Sequence, residues 1–145
     1  MKLDENKLRD VFKRIHGDPI TAAEAAAIVD VARFAASVDG RMDMGEMATV
    51  ARLSRIMYAM SGQDEQPVPS TPMAPGWLND IGKRLPSTGP RELAYASARL
   101  IILADRKVTK EESELGVNLT AALRIAPPRA QELDSMIDAL AREAG

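Results

Sequence analysis

Five acidic residues, grouped at two places in the chain, are the side chains best suited to chemistry. Asp39, Asp43 and Glu46 lie in the stretch SVDGRMDMGE, and Asp105 and Glu112 lie in LADRKVTKEE. Carboxylates placed within about one helical turn of each other are ligands that Ca²⁺ and Mg²⁺ prefer. The alternative is structural, because the same side chains can bind the free N–H groups at the start of a helix.

Asp39 occupies an unusual place for a carboxylate. The residues before it predict a helix that ends at Gly40, so Asp39 falls on the last turn. The helix dipole is negative there, and an acidic side chain costs up to about 1 kcal/mol. A neighbouring helix start can offset this cost by offering free N–H groups to the carboxylate. Asp39 and Asp105 therefore have two interpretations: a structural link between two helices, or a cation ligand.

Glu46 and Glu112 have a capping role available to them. Each follows a capping residue by three positions, Asp43 and Thr109 respectively, as in a capping box. Neither stretch matches the twelve-residue EF-hand loop. The single histidine, His16, has no cysteine or second histidine to join it, so a zinc site or catalytic triad is not expected. We expect no enzymatic activity and no cofactor, with a bound Ca²⁺ or Mg²⁺ as the alternative.

The composition limits the fold and the partners. Of 145 residues, 46% are hydrophobic but only 3% are aromatic, which favours close-packed helices over a sheet. The net charge of −2 argues against binding to nucleic acid. The charged N-terminus, MKLDENKLRD, is unlike a signal peptide, and no apolar run is long enough to cross a bilayer. We expect a cytoplasmic protein with no direct membrane insertion.

Apolar residues recur at helical spacing along the first part of the chain. The first stripe ends at Gly17 and Pro19, and the second helix begins at a capping box in TAAE. The third helix, from Asp43 to Gly62, is predicted to bury Met47, Val50, Leu53, Met57 and Met60. The eight methionines are expected to fill the core rather than to line an exposed groove.

The second part of the chain follows a proline-rich tether. Residues 63–76 contain four prolines and predict an exposed connection. A short helix then begins at Trp77, which we expect in the core, with a partner anchor as the alternative. The run RLIILA is predicted to lie in a central helix that begins near Pro90, and Pro127 and Pro128 begin the last helix. The prediction is an all-α domain with about seven helices in a compact bundle.

The two halves, at about residues 20–62 and 87–125, resemble each other. Residues 32–53 align without a gap to residues 98–119, which places Asp39 on Asp105 at an offset of 66 residues. Glu46 falls on Glu112 in the same alignment. The pattern predicts a single domain, residues 1–145, with an internal pseudo-twofold repeat.

The repeated motif resembles that of the tellurite-resistance TerB-like family. It reads VDGRMDMGE in the first copy and ADRKVTKEE in the second, and the resemblance spans about residues 21–125. It implies a seven-helix bundle with an internal pseudo-twofold, an acidic face with divalent-metal binding as one option, and no known catalysis. The second copy has Arg106 where the first has Gly40, and that arginine can neutralise Asp105 without an ion.

The resulting expectation is a non-enzymatic, acidic helical interaction module. Its partner would be another protein, within a stress-response or membrane-associated assembly. The alternative is a divalent-cation-binding protein that uses Asp39, Asp43, Glu46, Asp105 and Glu112. A metal-dependent hydrolase would also need a base or nucleophile beside these carboxylates, and the sequence offers none.

Overall fold

A computed structural model describes residues 4–37, 44–62, 77–104 and 110–144. This part of the chain is all-helical, as predicted, and contains seven helices. The predicted tether, 63–76, lies outside it, as does the side chain of Trp77. The helices are α1 (Glu5–Ile15), α2 (Ala22–Ser37), α3 (Met44–Met60), α4 (Trp77–Arg84), α5 (Thr88–Ala104), α6 (Lys110–Ala122) and α7 (Pro127–Ala144).

Local side-chain chemistry fixes where several helices begin and end. Asp4 caps α1 by accepting from the backbone N–H of Asn6, at 2.9 Å. The predicted capping box of α2 is confirmed, because Glu24 N–H donates to Thr21 Oγ1 at 3.0 Å and Thr21 N–H donates to Glu24 Oε1 at 2.9 Å. Gly62, with φ of 78°, terminates α3 in the left-handed conformation that glycine tolerates best.

Helices α2 and α5 pack against each other at the centre of the molecule. Every residue from Ala27 to Ala32 on α2 and from Glu92 to Ala98 on α5 is buried. The alanines in both segments allow close approach, because interaxial distance depends on side-chain size at the contact. The prediction that RLIILA belongs to a central helix is confirmed. Burial of apolar surface is the main favourable term for such a core.

The remaining helices surround this central pair. Helix α3 packs on α2 and α5, whereas α6 and α7 pack on α5, and α1 contacts α5 and α7. The hydrophobic core cluster takes residues from all seven helices, including Leu8, Ile28, Leu53, Ile81, Leu100, Leu119 and Ile137. Within the described residues, no helix is long and apolar enough to cross a membrane.

One predicted inward position is wrong. Met47 is 55% exposed, although Val50, Leu53 and Met57 of the same predicted stripe are buried. The inward position one turn before Val50 is occupied by Glu46, which is 3% exposed. Since successive helical residues are rotated by about 100°, burying Glu46 turns Met47 towards solvent.

Candidate functional site

Two of the five predicted acidic site residues lie in the described part of the chain. Glu46 and Glu112 occupy the first turns of α3 and α6, and they are only 3% and 2% exposed. Neither side chain is without a partner. Asp39, Asp43 and Asp105 lie outside the described residues. In the part that is described, no group of three or more Asp, Glu or His side chains is placed to hold a metal ion.

Glu112 lines a small cavity between α5 and α6. The cavity has a volume of about 40 Å³, and Tyr95, Arg99, Ser113 and Gly116 are among its other lining residues. A space of this size with polar walls is large enough for ordered water. Arg99 lines the same cavity, so its guanidinium group shares this space with the buried carboxylate of Glu112.

Arg99 also belongs to a polar network that joins α5 to α7. Its Nε donates to Asp138 Oδ1 at 3.1 Å, and its Nη2 donates to Asp138 Oδ2 at 3.2 Å. The hydroxyl of Tyr95 donates to Asp134 Oδ1 at 2.8 Å. This two-pronged arginine–carboxylate geometry is among the strongest that side chains form.

The network is built to hold helices together. Burial and the hydrogen bond to Asp134 both raise the pKa of Tyr95, so its phenol stays protonated and does not act as a base near neutral pH. Burial alone would lower the pKa of Arg99, but the hydrogen bond to Asp138 and the charges of Asp138 and Asp134 outweigh it and raise that pKa. With two carboxylates beside it, Arg99 carries little net positive potential for a substrate. The network is therefore interpreted as structural.

An exposed apolar strip on α3 is the feature least explained by folding. Met44 is 86% exposed and Met47 is 55% exposed, and Ala48 and Ala51 are exposed on the same side of the helix. These four residues, at spacings of three and four, form what we call the α3 apolar face. The expectation that methionines serve as core filler fails here, although Met57 is fully buried.

The buried glutamate is the signal in the sequence that could have revealed this face. The predicted capping role of Glu46 requires an inward side chain, and an inward Glu46 turns Met44 and Met47 outward. Periodicity alone favoured the opposite choice, because an apolar residue is ordinarily preferred to a carboxylate at a core position.

Arginine side chains lie at the C-terminal border of the α3 apolar face. Arg55 of α3 binds Glu5 of α1 at 2.5 Å and, by this hydrogen bond, lowers the pKa of Glu5. The charges of Arg52 and Arg9 act on Glu5 in the same direction, so all three guanidinium groups lie near one carboxylate. Within the described residues, neither Arg9 nor Arg52 forms an ion pair. This border has an excess of positive charge.

Comparisons with protein-family models, with curated proteins and with solved structures found no match to this chain. The resemblance to the TerB-like family therefore stays a prediction that rests on the repeated motif.

Proposed function

We propose that this chain is a non-enzymatic helical interaction module that docks an acidic, amphipathic helix of a partner protein on the α3 apolar face. The observation that carries the proposal is the exposure of Met44 and Met47, 86% and 55%, on the first two turns of α3. Large apolar side chains grouped on a surface commonly mark interaction sites.

The residue types of this face suit a helical ligand. Methionine is unbranched and polarizable, so it adapts to the side chains of different partners. Ala48 and Ala51 lie between the methionines and Arg55 along α3, and their small size lets a second helix approach closely. An amphipathic helix would place apolar residues at spacings of three and four against this strip.

The charge around the face specifies the chemistry of the partner. The positive charges of Arg55, Arg52 and Arg9 all act on the carboxylate of Glu5. A partner helix with Asp or Glu beside its apolar face would complement this excess of positive charge. Such complementarity mainly raises the association rate and selects among partners, whereas burial of the methionines supplies affinity.

We also propose that α2–α3 and α5–α6 are two copies of one repeat within a compact TerB-like bundle. Support comes from positions that the offset of 66 residues pairs. Glu46 and Glu112 are both buried in the first turn of their helices, and Leu53 and Leu119 are both fully buried. The assembly served by the module, a stress-response or membrane-associated one, is part of this proposal and rests on the resemblance alone.

Binding of a divalent cation by the acidic loops is the alternative. No observation in the described residues favours it, because three of its five proposed ligands lie outside them. The interaction module is therefore the function that the described surface supports best.

A pair of synthetic helical peptides tests the proposal. Both peptides carry the same leucine face, and one has Glu and the other Lys on its polar face. Nuclear magnetic resonance of protein labelled at the methionine methyl groups should show the acidic peptide perturbing Met44 and Met47, with weaker binding at higher salt. The basic peptide should bind more weakly.

Substitutions at exposed positions provide the control. Met44→Glu and Met47→Glu should each weaken binding of the acidic peptide by about tenfold or more, which corresponds to about 1.4 kcal/mol. Val117→Glu introduces the same charge at a residue of α6 that is 70% exposed, and it should leave binding unchanged. Equal loss in all three variants, or equal affinity for the two peptides, would overturn the proposal.

A further inference from the structure

A second surface, remote in sequence from the α3 apolar face, gathers positive charge in a pocket. The pocket lies where the end of α4 meets the end of α6, and it has a volume of about 340 Å³. Volumes in this range are typical of small-molecule sites. Three of its lining residues are cationic and none is acidic; the lining residues are Gly82, Lys83, Pro86, Arg91, Ala122 and Arg124.

Close contact between two helix backbones forms the floor of this pocket. A Cβ atom at Gly82 would lie 2.8 Å from the carbonyl oxygen of Ala122, which is closer than real Cβ atoms come to backbone. Glycine at this position therefore lets α4 approach α6.

Helix C-termini repel anions when their carbonyl groups are free, but here several of those groups accept hydrogen bonds. At the end of α4, Arg91 donates from Nη2 to the carbonyl of Gly82 at 3.1 Å and from Nε to the carbonyl of Leu85. These bonds fix the guanidinium of Arg91 at the pocket wall. Its positive charge offsets the negative end of the α4 dipole.

The end of α6 is closed by its own backbone. The N–H of Ile125 donates to the carbonyl of Thr120 at 2.9 Å, and the N–H of Arg124 donates to the carbonyl of Ala121 at 3.3 Å. This is the bonding pattern of a Schellman cap. The guanidinium of Arg124 is therefore not needed to satisfy the helix end.

Arg124 holds a backbone conformation that favours glycine. Its φ is 55°, the only positive value at a non-glycine residue of the described chain. A side chain there costs conformational energy that glycine would not. Arg124 is exposed and has no ion pair among the described residues, so nothing in the fold accounts for an arginine at this position.

Lys83 completes the cationic wall. Its Nζ lies 3.8 Å from Asp80 Oδ1, and the two side chains are 84% and 69% exposed. Ion pairs this exposed contribute little and exchange readily with solvent or ligand. Lys83 is thus available to an anion in the pocket.

We propose that this pocket binds a phosphate group, either free inorganic phosphate or the phosphate of a small ester. Arg124 would donate two parallel hydrogen bonds to phosphate oxygens, and Lys83 would add a point charge. Arg91 would contribute positive potential from the pocket wall. This site is independent of the docking function proposed for α3.

The test titrates the protein with inorganic phosphate and, separately, with glycerol phosphate. Sodium chloride holds the ionic strength constant, and backbone amide shifts report the binding. Saturable shifts at Lys83, Arg91 and Arg124 are expected. Tighter binding of glycerol phosphate identifies an ester ligand, and tighter binding of inorganic phosphate identifies the free ion. No saturable shift at these residues with either probe would overturn the proposal.

Arg124→Gly is the informative variant, because glycine relieves the backbone strain while removing the guanidinium. It should weaken phosphate binding by about tenfold, as expected for loss of a charge-assisted interaction, without lowering the melting temperature. Lys83→Gln should weaken binding as well. Arg142→Gln, at an exposed residue of α7, should not.

Two outcomes of these variants would overturn the proposal. One is wild-type affinity in Arg124→Gly, and the other is an equal loss in Arg142→Gln, which would indicate a general effect of charge. Met44→Glu should leave phosphate binding unchanged, so the two proposed sites can fail separately.

Discussion

Arg84 at the end of α4 reaches Asp30 in the middle of α2, with its Nη1 2.8 Å from Asp30 Oδ2. The two residues are 54 positions apart, and they join the first predicted half of the chain to the helix that follows the tether. Asp30 is only 1% exposed, so its carboxylate has little access to water. A buried carboxylate is tolerated when it is paired and hydrogen-bonded.

Removing the arginine from this pair should destabilise the protein strongly. Arg84→Met leaves the Asp30 carboxylate buried beside an apolar side chain, and we expect the free energy of unfolding to fall by about 3 kcal/mol. Urea denaturation measures this change. Lys83→Gln, at the preceding exposed residue, should change stability by less than about 0.5 kcal/mol. Similar losses in both variants would show that the pair with Asp30 is not the cause.

The raised pKa of Tyr95 leads us to expect that the protein loses stability in alkaline solution. Its pKa in the folded protein is raised by burial and by the hydrogen bond to Asp134, whereas in the unfolded chain it lies near 10.0. Above that pH the unfolded state loses the phenolic proton first. The contribution of Tyr95 to the free energy of unfolding is therefore complete below pH 10.0 and declines as the pH rises. Tyr58 shifts in the same direction, because of burial and the charge of Asp30.

Urea denaturation measured from about pH 8 to about pH 11 checks this prediction, because this range brackets the ordinary pKa of tyrosine. Tyr95→Phe should lower the free energy of unfolding by about 1 kcal/mol at neutral pH. At high pH, the free energy of unfolding of this variant should fall less steeply than that of wild type. The double variant with Tyr58→Phe contains no tyrosine and should have the flattest profile. Parallel profiles for all three proteins would contradict the assignment.

Replacement of two helical glycines by alanine should change the stability of the protein in opposite directions. Gly82→Ala places a Cβ 2.8 Å from the carbonyl oxygen of Ala122, so α4 and α6 must separate, and a loss of about 1–3 kcal/mol is expected. Gly116 has nothing within 4 Å of its ideal Cβ position, so Gly116→Ala should gain up to about 1 kcal/mol from helix propensity. Thermal melting of both variants compares them directly. A gain in Gly82→Ala would show that the two backbones are not in close contact.

Substitution of the buried Glu112 should lower stability in a way that does not depend on metal ions. Glu112 is buried and shares a cavity with Arg99, so Glu112→Gln should lower stability by about 1–2 kcal/mol whether or not Ca²⁺ or Mg²⁺ is present. Melting temperatures in chelator and in millimolar metal should coincide for wild type. A rise with metal that is present in wild type and absent from Glu112→Gln would instead support the cation-binding alternative.

The helices themselves were predictable because their signals are local. Proline, glycine and capping residues act within a few positions of where they stand, as Thr21 and Glu24 show at the start of α2. The central place of α5 was also predictable, since a helix apolar on all sides must be buried on all sides. The arrangement of the two predicted halves remains a prediction from the repeat.

The candidate sites were less predictable because they depend on which side of a helix is left uncovered. Met47 and Met57 are the same residue type on one helix, yet one is exposed and the other is fully buried. Similarly, nothing near Lys83 in the sequence indicates that Arg124 lies across the same pocket. Such neighbours are created by helix packing, which joins residues distant in the chain.

The sequence by itself therefore determined the helical class and the start of α2 at its capping box, because these follow from short-range backbone chemistry. Only the tertiary structure decided that Asp30 meets Arg84, that Arg99 is held by Asp138, and that Met44 and Met47 face solvent. The reason is physical: hydrophobic burial is non-directional, so periodicity identifies an apolar stripe without specifying its partner. Close packing of particular side chains selects that partner.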